Sequence, residues 1–128
     1  MLPGSLVVFL ALALTPETAG IIGAAEMDLI GPDGWLVNVA RGGHVDTEAL
    51  VAALAAGRLG GAALDVTDPE PLPDGHPLWT EPRCIITPHT ADTWDMILAP
   101  LQERIRSNVA HFIAGEPFEG VVDPHHGY

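Results

Sequence analysis

Lysine is absent from these 128 residues, and five arginines face 17 acidic side chains, for a formal net charge of −12. Without lysine there is neither a Schiff-base amine nor a phosphate-loop ammonium. The negative balance excludes nonspecific DNA or RNA binding, which needs clustered cations along the phosphate backbone. Cys84 is the single cysteine, so no intrachain disulfide forms. Beside Ile85 and Ile86 it reads as a small buried hydrophobe rather than a reactive thiol. The six histidines show no zinc-ligand spacing, and His125 and His126 lie in a tail. A G-x-G-x-x-G fingerprint, which lets a backbone approach a pyrophosphate, is missing as well. Gly20-Ile21-Ile22-Gly23 and Gly57-Arg58-Leu59-Gly60-Gly61 come nearest, and neither has its G-x-G core.

Long hydrophobic runs are also scarce. The stretch from Leu6 to Leu14 has the apolar character of a signal-peptide core but is too short to span a bilayer. No Lys or Arg precedes Arg41, so the cationic flank of a signal is lacking. The run reads instead as a fully buried parallel strand, and a cytoplasmic location is expected.

Hydrophobic residues make up 48% of the chain, which argues against disorder and for a single domain. Apolar runs alternate with helical stretches, the pattern of a parallel α/β sheet with crossover helices. Strands are expected over 5–12, 35–40, 62–66 and 84–87. Helices are expected over 24–30, stopped by Gly31-Pro32, and over 46–56, capped by Asp46 and stopped by Gly57. A long C-terminal helix is expected over 94–114, with Met96, Ile97, Leu101, Ile105, Val109 and Phe112 on one stripe. Pro100 would interrupt or kink it unless it starts a second helix. Between the last two strands lies a long loop, 67–83, rich in proline and acid, and loops of that length usually carry function or link domains.

Three polar residues follow the ends of apolar runs: Arg41, Glu70 between Pro69 and Pro71, and His89. In an open parallel sheet the carboxyl ends of neighbouring strands converge on one crevice. A guanidinium, a carboxylate and an imidazole delivered there make an acid/base site able to hold an anion. Taken singly, each has a blander role: a loop histidine closing a strand, a solvated acid, or an arginine bridging surface carboxylates.

Together, Asn38-Val39-Ala40-Arg41-Gly42-Gly43, Ala63-Leu64-Asp65-Val66 with Glu70-Pro71, and Thr87-Pro88-His89 resemble the D-isomer-specific 2-hydroxyacid dehydrogenases, the group that includes phosphoglycerate, glyoxylate/hydroxypyruvate and formate dehydrogenases. The resemblance implies a partial Rossmann-like sheet, the second half of a dinucleotide-binding domain over 1–115, with 116–128 belonging to the substrate-domain side. It implies hydride transfer between NAD or NADP and a D-2-hydroxy or 2-keto acid. His89 would then be the acid/base, Glu70 its partner on the second ring nitrogen, and Arg41 the grip on the substrate carboxylate. Thr15, Val39, Ala40, Arg41, Asp65, His89 and Ala91 would face the cofactor. His44 and His76 match no family catalytic position. Departures are Ala13 for a common proline, His44 for an apolar residue, and Thr90-Ala91-Asp92 for a glycine-rich turn. With the glycine fingerprint absent, the isolated chain is expected to bind dinucleotide poorly and to be inactive. The competing expectations are a non-catalytic truncated domain that forms a homodimer or associates through the sheet edge beside 5–12, and, more remotely, a secreted acidic binding domain.

Overall fold

A computed structural model describes residues 2–125 and divides them into two units, 2–89 and 90–125. The first unit is built on a four-stranded parallel sheet: β1 (Val7–Leu10), β2 (Trp35–Asn38), β3 (Gly61–Leu64) and β4 (Cys84–Ile86), in spatial order β1-β2-β3-β4. Two helices, α1 (Ala24–Ile30) and α2 (Thr47–Ala55), make the first two crossovers and pack against each other. The third crossover holds only a single 3-10 turn, Pro77–Trp79.

Local chemistry explains where these elements begin and end. The Asp46 carboxylate accepts from the Ala49 backbone N–H at 3.0 Å, satisfying an orphan donor at the start of α2. Glu26 reaches back to the Gly23 N–H at 3.0 Å and places negative charge at the positive end of α1. Leu36, Leu50, Leu54, Leu59, Ala53, Ala62 and Met27 are fully buried between sheet and helices. Gly61 lets β3 lie close to β2, because a Cβ there would fall 2.6 Å from the Trp35 ring.

Register sets the strand ends in line. Leu10 pairs with Asn38, Asn38 with Leu64, and Leu64 with Ile86. The segments that follow, beginning at residues 11, 39, 65 and 87, therefore leave the sheet along one edge.

The parallel sheet agrees with expectation, with strands shorter than the apolar runs: Val39, Ala40, Asp65 and Thr87 fall just past their strands. β1 differs more. It lies at the sheet edge, as expected, but is not the fully buried strand expected: Phe9 is 66% exposed while Leu10 is buried. An edge strand covered on one face only cannot bury every side chain of an apolar run, because successive residues point to opposite faces.

The second unit contains α3 (Trp94–Ala114), a single helix that continues through Pro100. Proline removes one intrahelical hydrogen bond, and the helix-forming residues around it carry the helix past the gap. Gly115 ends it in the left-handed region at φ 69°, and the tail folds back onto the last turns. There Glu119 N–H donates to Asn108 Oδ1 at 2.8 Å, Asn108 Nδ2 donates to the Glu119 carbonyl at 3.1 Å, and Phe118 stacks on Phe112 with ring centroids 6.4 Å apart. No residue of α3 is buried. No helix among the described residues is long and apolar enough to cross a membrane. His126 lies outside the described residues.

Candidate functional site

His89 and Glu70, 19 residues apart in sequence, meet at the strand ends: His89 Nδ1 lies 2.7 Å from Glu70 Oε1. Both are partly exposed, His89 at 41% and Glu70 at 42% of the side chain. The turn that brings the imidazole there is tight. His89 N–H donates to the Thr87 carbonyl at 3.0 Å across Pro88, and His89 has φ 54°, a left-handed conformation that histidine tolerates better than bulkier or branched residues. Glu70 is held by a loop whose own groups bond inward: Thr67 Oγ1 donates to the Pro69 carbonyl and Trp79 Nε1 to the Pro73 carbonyl.

The pair borders a cavity of about 240 Å³. Its walls are Asp65, Thr67, Glu70, Pro71, Leu72, Trp79, Ile86, Thr87, Pro88 and His89, all in the first unit. Asp65 is buried and its carboxylate accepts from Thr87 Oγ1, which joins the ends of β3 and β4.

Arg41 is brought to the same edge by a different device. Gly42 lies so close to the next strand-end loop that a Cβ would sit 2.0 Å from the Thr67 carbonyl oxygen. Only glycine permits that approach. Thr47 Oγ1 reinforces it by donating to the Asp68 carbonyl at 2.8 Å. The Arg41 side chain is exposed and donates from Nη1 to the Ala40 carbonyl at 2.7 Å, using one of its five N–H donors.

Val39 and Ala40 directly follow β2, Val39 exposed and Ala40 buried, and Thr15, in the loop after β1, is buried. Thr15 Oγ1 donates to Glu17 Oε2 at 2.7 Å, and this bond holds the Glu17 carboxyl below the usual range. Ala91 belongs to the second unit and is exposed. Cys84 is partly rather than fully buried, and that burial, with repulsion from the Glu81 carboxylate, pushes its thiol up to about 11, in keeping with an inert residue. No cluster of His, Cys, Asp or Glu among the described residues is arranged to hold a metal ion.

Asn38, Leu72 and Trp79 also shape the site. Asn38 is fully buried, with Nδ2 donating to the Arg41 carbonyl at 2.9 Å and Oδ1 accepting from Ala40 N–H at 3.0 Å. Its signal was an amide ending an apolar strand. Trp79 and Leu72 form cavity wall from within the long loop, where sequence spacing offers no signal of direction.

Residues 1–91 match the family model for the NAD binding domain of the D-isomer specific 2-hydroxyacid dehydrogenases. The chain belongs to that family. It is 40% identical over 129 residues to glyoxylate/hydroxypyruvate reductase A of Klebsiella pneumoniae strain 342, covering 99% of this chain and 40% of the relative. Among solved structures it superposes with TM-score 0.87, at 42% identity, on a D-isomer specific 2-hydroxyacid dehydrogenase from Xanthobacter autotrophicus Py2 in complex with NADPH and MES. The match covers 99% of this chain and 41% of that one. An NADPH-dependent glyoxylate/hydroxypyruvate reductase from Sinorhizobium meliloti in complex with NADP and sulfate also gives TM-score 0.87, at 33% identity, with the same coverage. The chain thus spans about 40% of the length of these relatives. The family and sheet expected from the Arg41, Glu70 and His89 motifs are the ones found.

Proposed function

We propose that this chain supplies the nicotinamide-facing side of an NAD(P)-dependent 2-hydroxyacid dehydrogenase of the glyoxylate/hydroxypyruvate reductase type. The observation that carries the reading is the 2.7 Å contact of His89 Nδ1 with Glu70 at the rim of the cavity. With Nδ1 engaged, Nε2 remains for a substrate oxygen. In reduction His89 donates a proton from Nε2 to the carbonyl oxygen, and in oxidation it takes the hydroxyl proton. Glu70 fixes the tautomer and stabilises positive charge on the ring as it forms. Arg41 holds the substrate carboxylate through paired N–H donors, a task suited to a planar guanidinium.

The residues present fit a nicotinamide. The cavity joins an apolar wall of Leu72, Trp79 and Ile86 to the Asp65 carboxylate, an acceptor suited to a carboxamide N–H. Asp65, Val39, Ala40 and Thr15 would hold the cofactor's nicotinamide-ribose end; the family model names NAD, and the Xanthobacter and Sinorhizobium relatives hold NADPH and NADP. When bound, the nicotinamide supplies the hydride in reduction and takes it up in oxidation. The reading carries with it a cytoplasmic location, a domain division near residue 115, and Ala91 as a further cofactor neighbour.

The test is to graft the chain into the Klebsiella reductase in place of its matching stretch, and to follow glyoxylate and hydroxypyruvate reduction with NADPH and NADH. His89→Ala should lower kcat by roughly 10²–10⁴-fold. Arg41→Met should act chiefly on KM. Near-normal turnover of the His89 variant would refute the assignment.

β1 favours a second reading, a non-catalytic domain that pairs with a second copy. This edge strand exposes Val7 and Phe9, and no ionisable side chain occurs before Glu17 to discourage edge pairing. Sedimentation over a range of concentration and salt checks it: a monomer throughout would remove this reading.

A further inference from the structure

His44 is fully buried, and both of its ring nitrogens face backbone carbonyls. Nδ1 lies 2.9 Å from the Arg41 carbonyl oxygen, and Nε2 lies 3.2 Å from the carbonyl oxygen of Ala13, 31 residues away. Carbonyls only accept, so each contact is a hydrogen bond when that nitrogen carries the proton. A neutral ring donates to one carbonyl at a time and an imidazolium to both.

Neither carbonyl depends on this ring for a partner. Ala13 O accepts from Thr18 Oγ1 at 2.8 Å, and Arg41 O accepts from Asn38 Nδ2 at 2.9 Å. What the imidazole adds is a buried ring packed between them, hydrogen-bonded to one carbonyl when neutral and to both when protonated. Backbone bonds run alongside: Gly20 N–H donates to the Gly43 carbonyl at 2.8 Å, and Ile22 N–H to the His44 carbonyl at 3.0 Å. These hold the far side of the loop after β1, whereas the imidazole holds its near side, two residues from Thr15.

We propose that His44 is a positioning residue: its imidazole staples the loop that carries Thr15 to the backbone of Arg41, fixing the spacing between the cofactor-side and substrate-side groups of the proposed site. The spacing matters because a displaced Arg41 guanidinium grips the substrate carboxylate less well, which weakens substrate binding. The assignment rests on the reading of Arg41 as the carboxylate grip.

Two measurements test it, one needing no ligand. In the 128-residue chain, amide exchange is compared between wild type, His44→Leu, which has no ring donor, and His44→Gln, which keeps an amide donor. His44→Leu should speed exchange at Thr18, Ala19 and His44 by about tenfold while Leu50 and Leu54 stay protected. His44→Gln should recover part of the protection. Unchanged exchange, or uniform acceleration that includes Leu50 and Leu54, overturns the staple. In the grafted reductase, His44→Leu should raise KM for glyoxylate several-fold with kcat within about twofold, and His44→Gln should lower it again. If Arg41→Met moves KM and His44→Leu does not, the positioning role is wrong. If Arg41→Met leaves KM unchanged, it is the reading of the site that fails, and amide exchange still decides the staple.

Discussion

The sheet of the first unit and the long helix of the second use apolar residues in opposite ways. Leu36 in β2 has no exposed surface, whereas Ile113 in α3 is 80% exposed and no residue of that helix is buried. Both segments are regular and both carry an apolar pattern. In the first, strand pairing and two crossover helices close over the side chains; in the second, the helix is held by its own backbone bonds, a left-handed glycine cap and the returning tail. Periodicity therefore reports which face of an element is apolar, and burial depends on whether the chain supplies something to cover it.

The sharpest way to break the contrast is to cut matching side chains from each region. Leu54→Ala, in the closed core, should cost about 2–5 kcal/mol through lost transfer energy and the cavity left behind. Ile105→Ala, on the exposed stripe of α3, should stay within about 0.5 kcal/mol. Equal losses in urea unfolding would show that α3 is covered in solution. Gly42→Ala comes next. Its Cβ would meet the Thr67 carbonyl at 2.0 Å, so one backbone segment must move, at a cost of about 1–3 kcal/mol. The damage should localise to the Arg41 and Thr67 loops, with the helical circular dichroism of α3 unchanged.

Capping gives a smaller and equally paired test. Asp46→Ala removes the acceptor at the start of α2 and should cost about 1 kcal/mol in thermal or urea unfolding. Thr93, at the start of α3, makes no side-chain cap bond, so Thr93→Ala should change little. The weakest effect at neutral pH concerns Cys84. With its thiol raised from 9.0 to about 11, alkylation at pH 8 should run on the order of 100-fold slower than at a cysteine placed at exposed Ala99. The contribution of the raised thiol to the folded state is intact below pH 9 and is lost between pH 9 and about 11, the window in which unfolding releases the thiol proton, and stability levels off above it. Equal alkylation rates would place Cys84 in water.

Much of this was legible because its causes are local. Asp46 before an apolar helix, Gly57 after it, and glycines leading into strands mark boundaries through capping and turn chemistry alone. The motifs at Arg41, Glu70-Pro71 and His89 led to the family because each lies just past a strand end, which parallel pairing brings to one edge. What could not be read depends on contacts across the fold. The exposure of Phe9 depends on which face of β1 the fold covers, the place of Trp79 on the turn inside a long loop, and the staple of His44 on a carbonyl 31 residues away. Pro100 shows the converse: a strong local breaker was outweighed by the helix on either side of it.

Trp79 carries one more consequence. Its indole N–H is tied to the Pro73 carbonyl at 3.0 Å, while its ring forms cavity wall alongside His89. Indole emission responds to the polarity and charge around the ring, so whatever enters the cavity changes the light this residue gives off. The chain has only three tryptophans, and Trp35 and Trp94 can each be replaced by phenylalanine to leave a single emitter. Occupancy of the cavity could then be followed optically in the absence of turnover, with the polypeptide as its own indicator.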